Sequence, residues 1–317
     1  MVGRGAVGRF LGERIAATGA EVVYAPRELA AVEPVAADLA IVAVKATATA
    51  SAIETLRRAL PNDEATVLTP QNGVGNEERL AEAFGRDRIV SAALTVPVEL
   101  TPSGDVVAAN RGGIVLAPVG DVAHNYLIAA FERTGIPTSV ASDYRALKWS
   151  KLVLNIVANA SCAILDVLPE ALVRGPALFA LEIRAIREAG AVMDACGIAT
   201  IDLPRYPVRA LRAIARLPMP AARAILAGRV AGARGRKPPS LLLDMRAGRE
   251  TEVAFLNGAV AATARAHGLG APVNAAFAGL VPILAASKAE RARFRERPRA
   301  LLEAVAAAEH PGAPVLP

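Results

Sequence analysis

Along roughly the first hundred residues, short apolar runs alternate with stretches of helical periodicity. Residues 21–24, 39–44, 66–68 and 89–93 are brief apolar runs rich in valine, leucine and isoleucine. Such runs suit strands buried on both faces of a parallel sheet. Residues 6–18 and 49–60 repeat apolar side chains at three- and four-residue intervals, and 77–84 adds a shorter helix. Strand and helix in alternation are the mark of βαβ units. From 96 to 140 the pattern changes. Pro102-Ser103-Gly104 and Arg111-Gly112-Gly113 are turn signals, and they predict a small antiparallel addition. From about Ser142 onward, alanine, leucine and arginine recur at helical spacing, punctuated by Pro169, Pro204, Pro218, Pro238 and Pro239. This shift places a domain boundary at 141/142, with residues 1–141 forming one domain and 142–317 a helical one. The tail from Glu309, with Pro311, Gly312, Pro314 and Pro317, loses periodicity and is expected to fray.

The first helix is preceded by Gly3-Arg4-Gly5-Ala6-Val7-Gly8, a match to G-x-G-x-x-G. In that loop the glycines permit a tight turn, close approach of backbone to a pyrophosphate, and packing of helix on strand. The following helix points its N-terminal amides at the phosphate. The fold class expected is therefore α/β, a Rossmann-type mostly parallel sheet followed by an all-α C-terminal domain. A ribose-reading residue belongs about 20 residues after the loop, and Arg27 stands there with no acid between Glu21 and Glu28. An arginine pairs with a 2′-phosphate where an acid would accept from a free 2′-hydroxyl, which favours NADP over NAD. A solvated loop cation is the plainer alternative. Only Met1 and Val2 precede Gly3, so the first strand is expected to be missing, through an internal start codon or loss of an edge unit. The ten residues between Arg27 and Asp38 are likewise too few for a crossover helix and another strand.

The chain's 317 residues suffice for two domains with proper cores, and 53% hydrophobic against 21% charged residues argues against wholesale disorder. The longest uncharged stretches, such as 152–165, fall short of the roughly 20 apolar residues of a membrane span. No signal-peptide pattern precedes Arg4, and Cys162 and Cys196 form no disulfide framework, so a cytoplasmic location is expected. The net charge of +6 with pI near 9.7 would suit a nucleic-acid binder were the bases clustered. They thicken at 205–237 and 288–299 but are otherwise scattered, and the second group is interleaved with Glu290 and Glu296. Neither nucleic acid nor membrane is expected as a partner. His124, His267 and His310 lack metal-ligand spacing, so no metal is expected. Only Lys45, Lys148, Lys151, Lys237 and Lys288 are lysines, in a chain with 36 basic residues. Where arginine is the default cation each lysine is a candidate for chemistry, because an ammonium can release a proton and a guanidinium cannot.

Lys45 ends the apolar run 39–44, where the carboxyl end of a parallel strand opens on the ligand crevice. A strand-ending surface cation fits equally. Pro70-Gln71-Asn72-Gly73 follows the next strand on the same rim and offers amides, although Asn-Gly is also a favoured turn pair. Lys151, Asn155 and Asn159 recur at i, i+4 and i+8, one polar line on an otherwise apolar helix. Such a line is expected to be largely buried, and buried amides and ammoniums need partners, which a ligand or another polar element could supply. Desolvation also lowers a lysine's pKa toward that of a proton donor working near neutrality. Ser240 follows two prolines and could be either an N-cap or a ligand contact. Glu252 sits among apolar neighbours but is spaced like a surface glutamate as well.

In order and spacing these motifs resemble the ketopantoate reductases, the 2-dehydropantoate 2-reductases. The similarity runs from Gly3 to about Asn274 through Val44-Lys45-Ala46, Gln71-Asn72-Gly73, Lys148-Trp149-Ser150-Lys151, Asn155, Asn159, Ser240 with Asp244, Arg249-Glu250-Thr251-Glu252 and Asn257-Gly258. The resemblance implies NADPH-dependent reduction of ketopantoate to pantoate on the way to coenzyme A. By it, NADPH is bound by Gly3, Gly5, Ala6, Val7, Gly8 and Arg27, with Lys45 and Asn72 near the nicotinamide. Lys151 matches the family's catalytic lysine. Asn72, Asn155, Asn159, Ser240 and Glu252 match positions that contact substrate, a small 2-oxo acid. Reduction of another 2-oxo acid or of an imine, and an NADP-binding protein without catalysis, are the competing readings. The alanine-rich helical half is compatible with a homodimer.

Overall fold

The computed structural model describes all residues except 61–63, 123, 235–236 and 310–317; the proline-containing tail and His310 lie outside the described residues. The chain forms two compact units, Met1–Lys151 with Ile201–Pro207, and Leu152–Thr200 with Val208–Pro317. The units thus change over between Lys151 and Leu152, ten residues past the shift in composition.

The first unit runs α1 (Ala6–Ala16), β1 (Leu39–Ile41), α2 (Thr49–Ala59), β2 (Thr66–Thr69), α3 (Asn76–Phe84), β3 (Ile89–Leu94), β4 (Val98–Leu100), β5 (Val106–Ala108), β6 (Ile114–Pro118), α4 (Asn125–Arg133), β7 (Thr138–Val140) and the first part of α5 (Tyr144–Ile156), whose residues from Leu152 on belong to the second unit. One sheet has the order β1-β2-β3-β6-β7. β1, β2 and β3 are parallel, β6 is antiparallel to β3, and β7 is parallel to β6. Phe10, Leu11, Ile41, Leu68, Val90, Leu116, Leu127 and Phe131 form its core. All four residues of β2 and all six of β3 are buried, as strands covered on both faces require.

Two expectations need correction. Residues 21–24 are not a strand, because a strand exists through its ladder and this segment finds too little neighbour. Its backbone bonds run to Met1: the Met1 ammonium donates to the Val23 carbonyl at 2.8 Å, and the Ala25 N–H donates to the Met1 carbonyl at 2.9 Å. Val2 in turn makes a single parallel bridge to Val42. The second correction concerns 96–140. The hairpin β4–β5 is a small antiparallel addition, but β6, α4 and β7 extend the main sheet by another strand–helix–strand unit.

The second unit is helical: α6 (Ala160–Leu165), α7 (Pro169–Arg174), α8 (Pro176–Ala195), α9 (Val208–Arg216), α10 (Met219–Arg234), α11 (Ser240–Arg246), α12 (Asn257–Ala266), α13 (Pro272–Ala286), α14 (Lys288–Phe294) and α15 (Pro298–Glu309). α13 packs against α12, α15, α6 and α8, burying Val273, Phe277, Val281 and Leu284. Among the described residues no helix is long and apolar enough to cross a membrane.

Candidate active site

The glycine loop is set by what its backbone touches. Gly3 has φ +109°, a conformation side chains resist, and a Cβ there would lie 2.6 Å from the Ala43 carbonyl oxygen. A Cβ on Gly8 would lie 2.1 Å from the Gly3 carbonyl oxygen. Both glycines are therefore demanded by the protein's own packing. Gly5 is not: a Cβ there meets nothing within 4 Å. It is the N-cap of α1, and no side-chain hydrogen bond caps the helix there. Ala6 and Val7, half-buried, start the helix. Beside the loop, the Tyr24 hydroxyl donates to the Gly8 carbonyl at 3.3 Å, and the Arg4 guanidinium lies 5.0 Å from the Tyr24 ring centre. Arg27, three residues on, is exposed.

Past β1, half-buried Lys45 opens a 3-10 turn, Ala46–Ala48. That turn and the Gln71-Asn72 loop are fastened together by buried side chains. The Gln71 amide nitrogen donates to the carbonyls of Val44 (3.2 Å) and Lys45 (3.3 Å) and to the Thr49 hydroxyl (3.0 Å), while its oxygen accepts from the Thr69 hydroxyl at 3.0 Å. The Thr49 hydroxyl donates to the Ala46 carbonyl and lies 2.9 Å from the Asn76 side-chain oxygen, and the Asn76 amide donates to the Asn72 carbonyl at 3.0 Å. Asn72 itself stays half-buried at the rim.

Two lysines three residues apart on α5 fare differently. Lys148 is 2% exposed; its ammonium donates to the Gln71 carbonyl and lies 3.0 Å from Glu77, itself 1% exposed. Lys151 is half-buried, and its ammonium donates to the carbonyl of Leu94, the last residue of β3, at 3.0 Å.

Asn155 is half-buried in the last turn of α5, but Asn159 does not continue that helix. α5 ends at Ile156, and Ala158 adopts the left-handed conformation, φ +53°. The buried Glu182 of α8 accounts for the break: its carboxylate accepts the Ala158 N–H at 2.5 Å and the Ser161 hydroxyl at 2.5 Å, replacing helical bonds. Asn159, 3% exposed, instead ties three segments. Its amide nitrogen donates to the Asn155 carbonyl (2.9 Å) and lies 3.3 Å from the Ser240 hydroxyl, and its oxygen accepts the Leu241 N–H at 3.0 Å. Ser240 is the first residue of α11 rather than its cap, and is exposed. Asp244, buried one turn later, accepts from Arg249 at 3.0 Å. Glu252 is 9% exposed, so the surface-glutamate alternative falls. Among the described residues no three His, Cys, Asp or Glu side chains cluster as metal ligands.

The structure thus joins Lys45, Asn72 and Lys148 through Gln71, and Asn155, Asn159 and Ser240 through Asn159. Sequence reasoning missed Glu77, Gln71's bonding role, Glu182 and the Asp244–Arg249 pair. Their partners lie far along the chain; the scarcity of lysine around Lys148, between Leu147 and Trp149, was the one usable hint.

Residues 21–121 match the family described as "Ketopantoate reductase PanE/ApbA", and residues 143–284 match "Ketopantoate reductase PanE/ApbA C terminal". The chain belongs to the ketopantoate reductase family. A 2-dehydropantoate 2-reductase of Halobacterium salinarum is 32% identical over 248 residues, covering 77% of this chain and 75% of its own. The namesake from Archaeoglobus fulgidus is 27% identical over 307 residues, covering 89% and 95%. A crystal structure of a PanE/ApbA family ketopantoate reductase from Ralstonia eutropha superposes with a TM-score of 0.74 at 27% identity, over 90% of this chain and 99% of that one. Ketopantoate reductases are oxidoreductases acting on a CH–OH group. The family matches begin at residue 21, so the glycine loop rests on its own geometry.

Proposed function

We propose that this protein reduces 2-dehydropantoate to pantoate with NADPH, a step toward pantothenate and coenzyme A. The observation that carries the reading is the contrast between its two α5 lysines. Lys148 is 2% exposed and bonded to Gln71 and Glu77, whereas Lys151 is only half-buried and bonds to Leu94 at the carboxyl end of β3, where parallel sheets bind ligands. The names of the relatives supply the substrate.

A dinucleotide fits the residues present. Gly3 and Gly8 satisfy the protein's own packing, while the open space at Gly5, before the amides of α1, suits a pyrophosphate. When bound, the nicotinamide supplies hydride to C2 of the 2-oxo acid. Lys151 would donate a proton to the C2 oxygen as negative charge develops there. Asn155, Asn159, Ser240 and Glu252 would hold the substrate, with Asn159 setting the place of Ser240. Arg27 would pair with the 2′-phosphate, and Lys45 and Asn72 would flank the nicotinamide. Holding both reactants makes the transfer effectively unimolecular.

Loss of NADPH absorbance on adding 2-dehydropantoate to the purified protein tests the reading. Turnover with that acid supports it. Turnover only with another 2-oxo acid or an imine overturns the substrate, and dinucleotide binding without any turnover overturns the reaction.

A further inference from the structure

The buried ion pair of Lys148 and Glu77 lies outside the chemistry assigned above, yet it touches both elements that chemistry needs. Lys148 on α5 bonds to the Gln71 carbonyl in the loop that carries Asn72, and to Glu77 on α3. Glu77 is braced in turn by the Ser91 hydroxyl of β3 at 2.8 Å, and Ser91 is fully buried. Three residues along β3 from Ser91 is Leu94, whose carbonyl receives Lys151; three residues along α5 from Lys148 is Lys151 itself. The helix is therefore tied to the same strand at two points one turn apart, directly through Lys151 and by way of Glu77 through Lys148, and residues i and i+3 share a helix face.

Stability alone does not explain such a pair. Taking both charges out of water costs as much as their attraction returns, and apolar residues of like volume often hold a fold as well or better. What the pair adds is directional: an ammonium with two fixed acceptors sets the rotation and height of α5 against β3, which apolar contacts leave free to slip. A displacement of about 1 Å at a reacting group costs on the order of 100-fold in rate.

We infer that Lys148 and Glu77 are positioning residues, which fix the Lys151 ammonium and the Asn72 loop in register with one another. The inference rests on the reading of Lys151 as proton donor, but its physical content can be measured without turnover.

The test replaces the pair by Lys148→Met/Glu77→Leu in the full chain, which removes both charges together and leaves the net charge unchanged. Expected are a kcat at least tenfold lower, a KM for NADPH within twofold of wild type and cooperative melting retained. The scarcity of lysine permits a second readout, the Nζ-adjacent carbon signals of isotopically labelled lysine. The Lys151 signal is expected to shift while those of Lys237 and Lys288 stay in place. Lys148→Arg, which keeps a donor for Glu77 and Gln71, should recover part of kcat. Wild-type kcat with an unmoved Lys151 signal overturns the inference. Should the double variant not fold, Ser91→Ala loosens Glu77 alone and should move kcat and the Lys151 signal in the same direction by less; no movement in either overturns the inference equally. If the wild type turns over no 2-oxo acid, the proposed function falls, and the Lys151 signal still decides the positioning role.

Discussion

At the glycine loop the backbone folds onto itself with no side chain between, whereas along β2 and β3 the rim is laced by buried amides, hydroxyls and an ion pair. The first region holds its shape through atoms that are missing. Gly3 and Gly8 leave no room for a methyl group, and Gly5 leaves a space that the protein does not fill. The second region holds its shape through atoms that are present: Gln71, Thr49, Asn76, Lys148 and Glu77 each satisfy a buried partner. Added atoms should therefore damage the first, and removed atoms the second.

The sharpest separation comes from Lys151→Ala. Loss of a general acid costs about 10²–10⁴-fold in rate, so kcat with 2-dehydropantoate should fall by that much while NADPH affinity, read by fluorescence titration, stays within twofold. Near-normal turnover would remove Lys151 from the acid role. Next come the glycines. Gly8→Ala overpacks the loop against the Gly3 carbonyl and should cost about 1–3 kcal/mol of stability by denaturant unfolding. Gly5→Ala should leave the melting temperature alone yet weaken NADPH binding at least tenfold; equal effects from both would mean that Gly5 faces protein, not ligand. Gln71→Leu takes the acceptor from the Thr69 hydroxyl and a donor from the carbonyls of Val44 and Lys45, and should lower stability by about 1–3 kcal/mol for unmet buried groups, a loss that Gly5→Ala should not share.

The smallest effect involves Glu188, a half-buried carboxylate held by neutral donors instead of an ammonium. Burial pushes its pKa up from 4.5, outweighing hydrogen bonds from the N–H groups of Asn274 and Val273, the Asn274 amide and the charge of Arg184. The folded state then holds the proton more tightly than the unfolded one. Its stabilising contribution is complete below pH 4.5 and is lost as pH rises through the raised value. Relative to Glu188→Gln, the wild type should lose stability between pH 4.5 and neutrality; a relative gain over that range would contradict the assignment.

The parallel strands were legible because each is a continuous apolar run, and the helices because their periodicity is strong. Residues 21–24 read as a strand on composition alone, but hydrogen bonding to a neighbour decides a strand, and composition does not record the neighbour. Asn159 read as the third member of a helical line because Val157, Ala158 and Ala160 are unremarkable in a helix. The carboxylate that breaks the helix comes from Glu182, more than twenty residues on. Lys148 and Glu77 stand further apart still, and nothing local in either marks the other. Of the candidate site, what single residue types announce was readable; what long-range pairs build was not.

Ala158 carries one last implication. A non-glycine residue in mirror-image backbone persists only while its surroundings insist on it, and here the insistence comes from Glu182 gripping the Ala158 amide. Without that grip the kink has little to keep it, and α5 could run on into α6 as one unbroken rod. Asn159 would then lose its present place, so a single carboxylate from another helix keeps Asn159 and Ser240 from parting company.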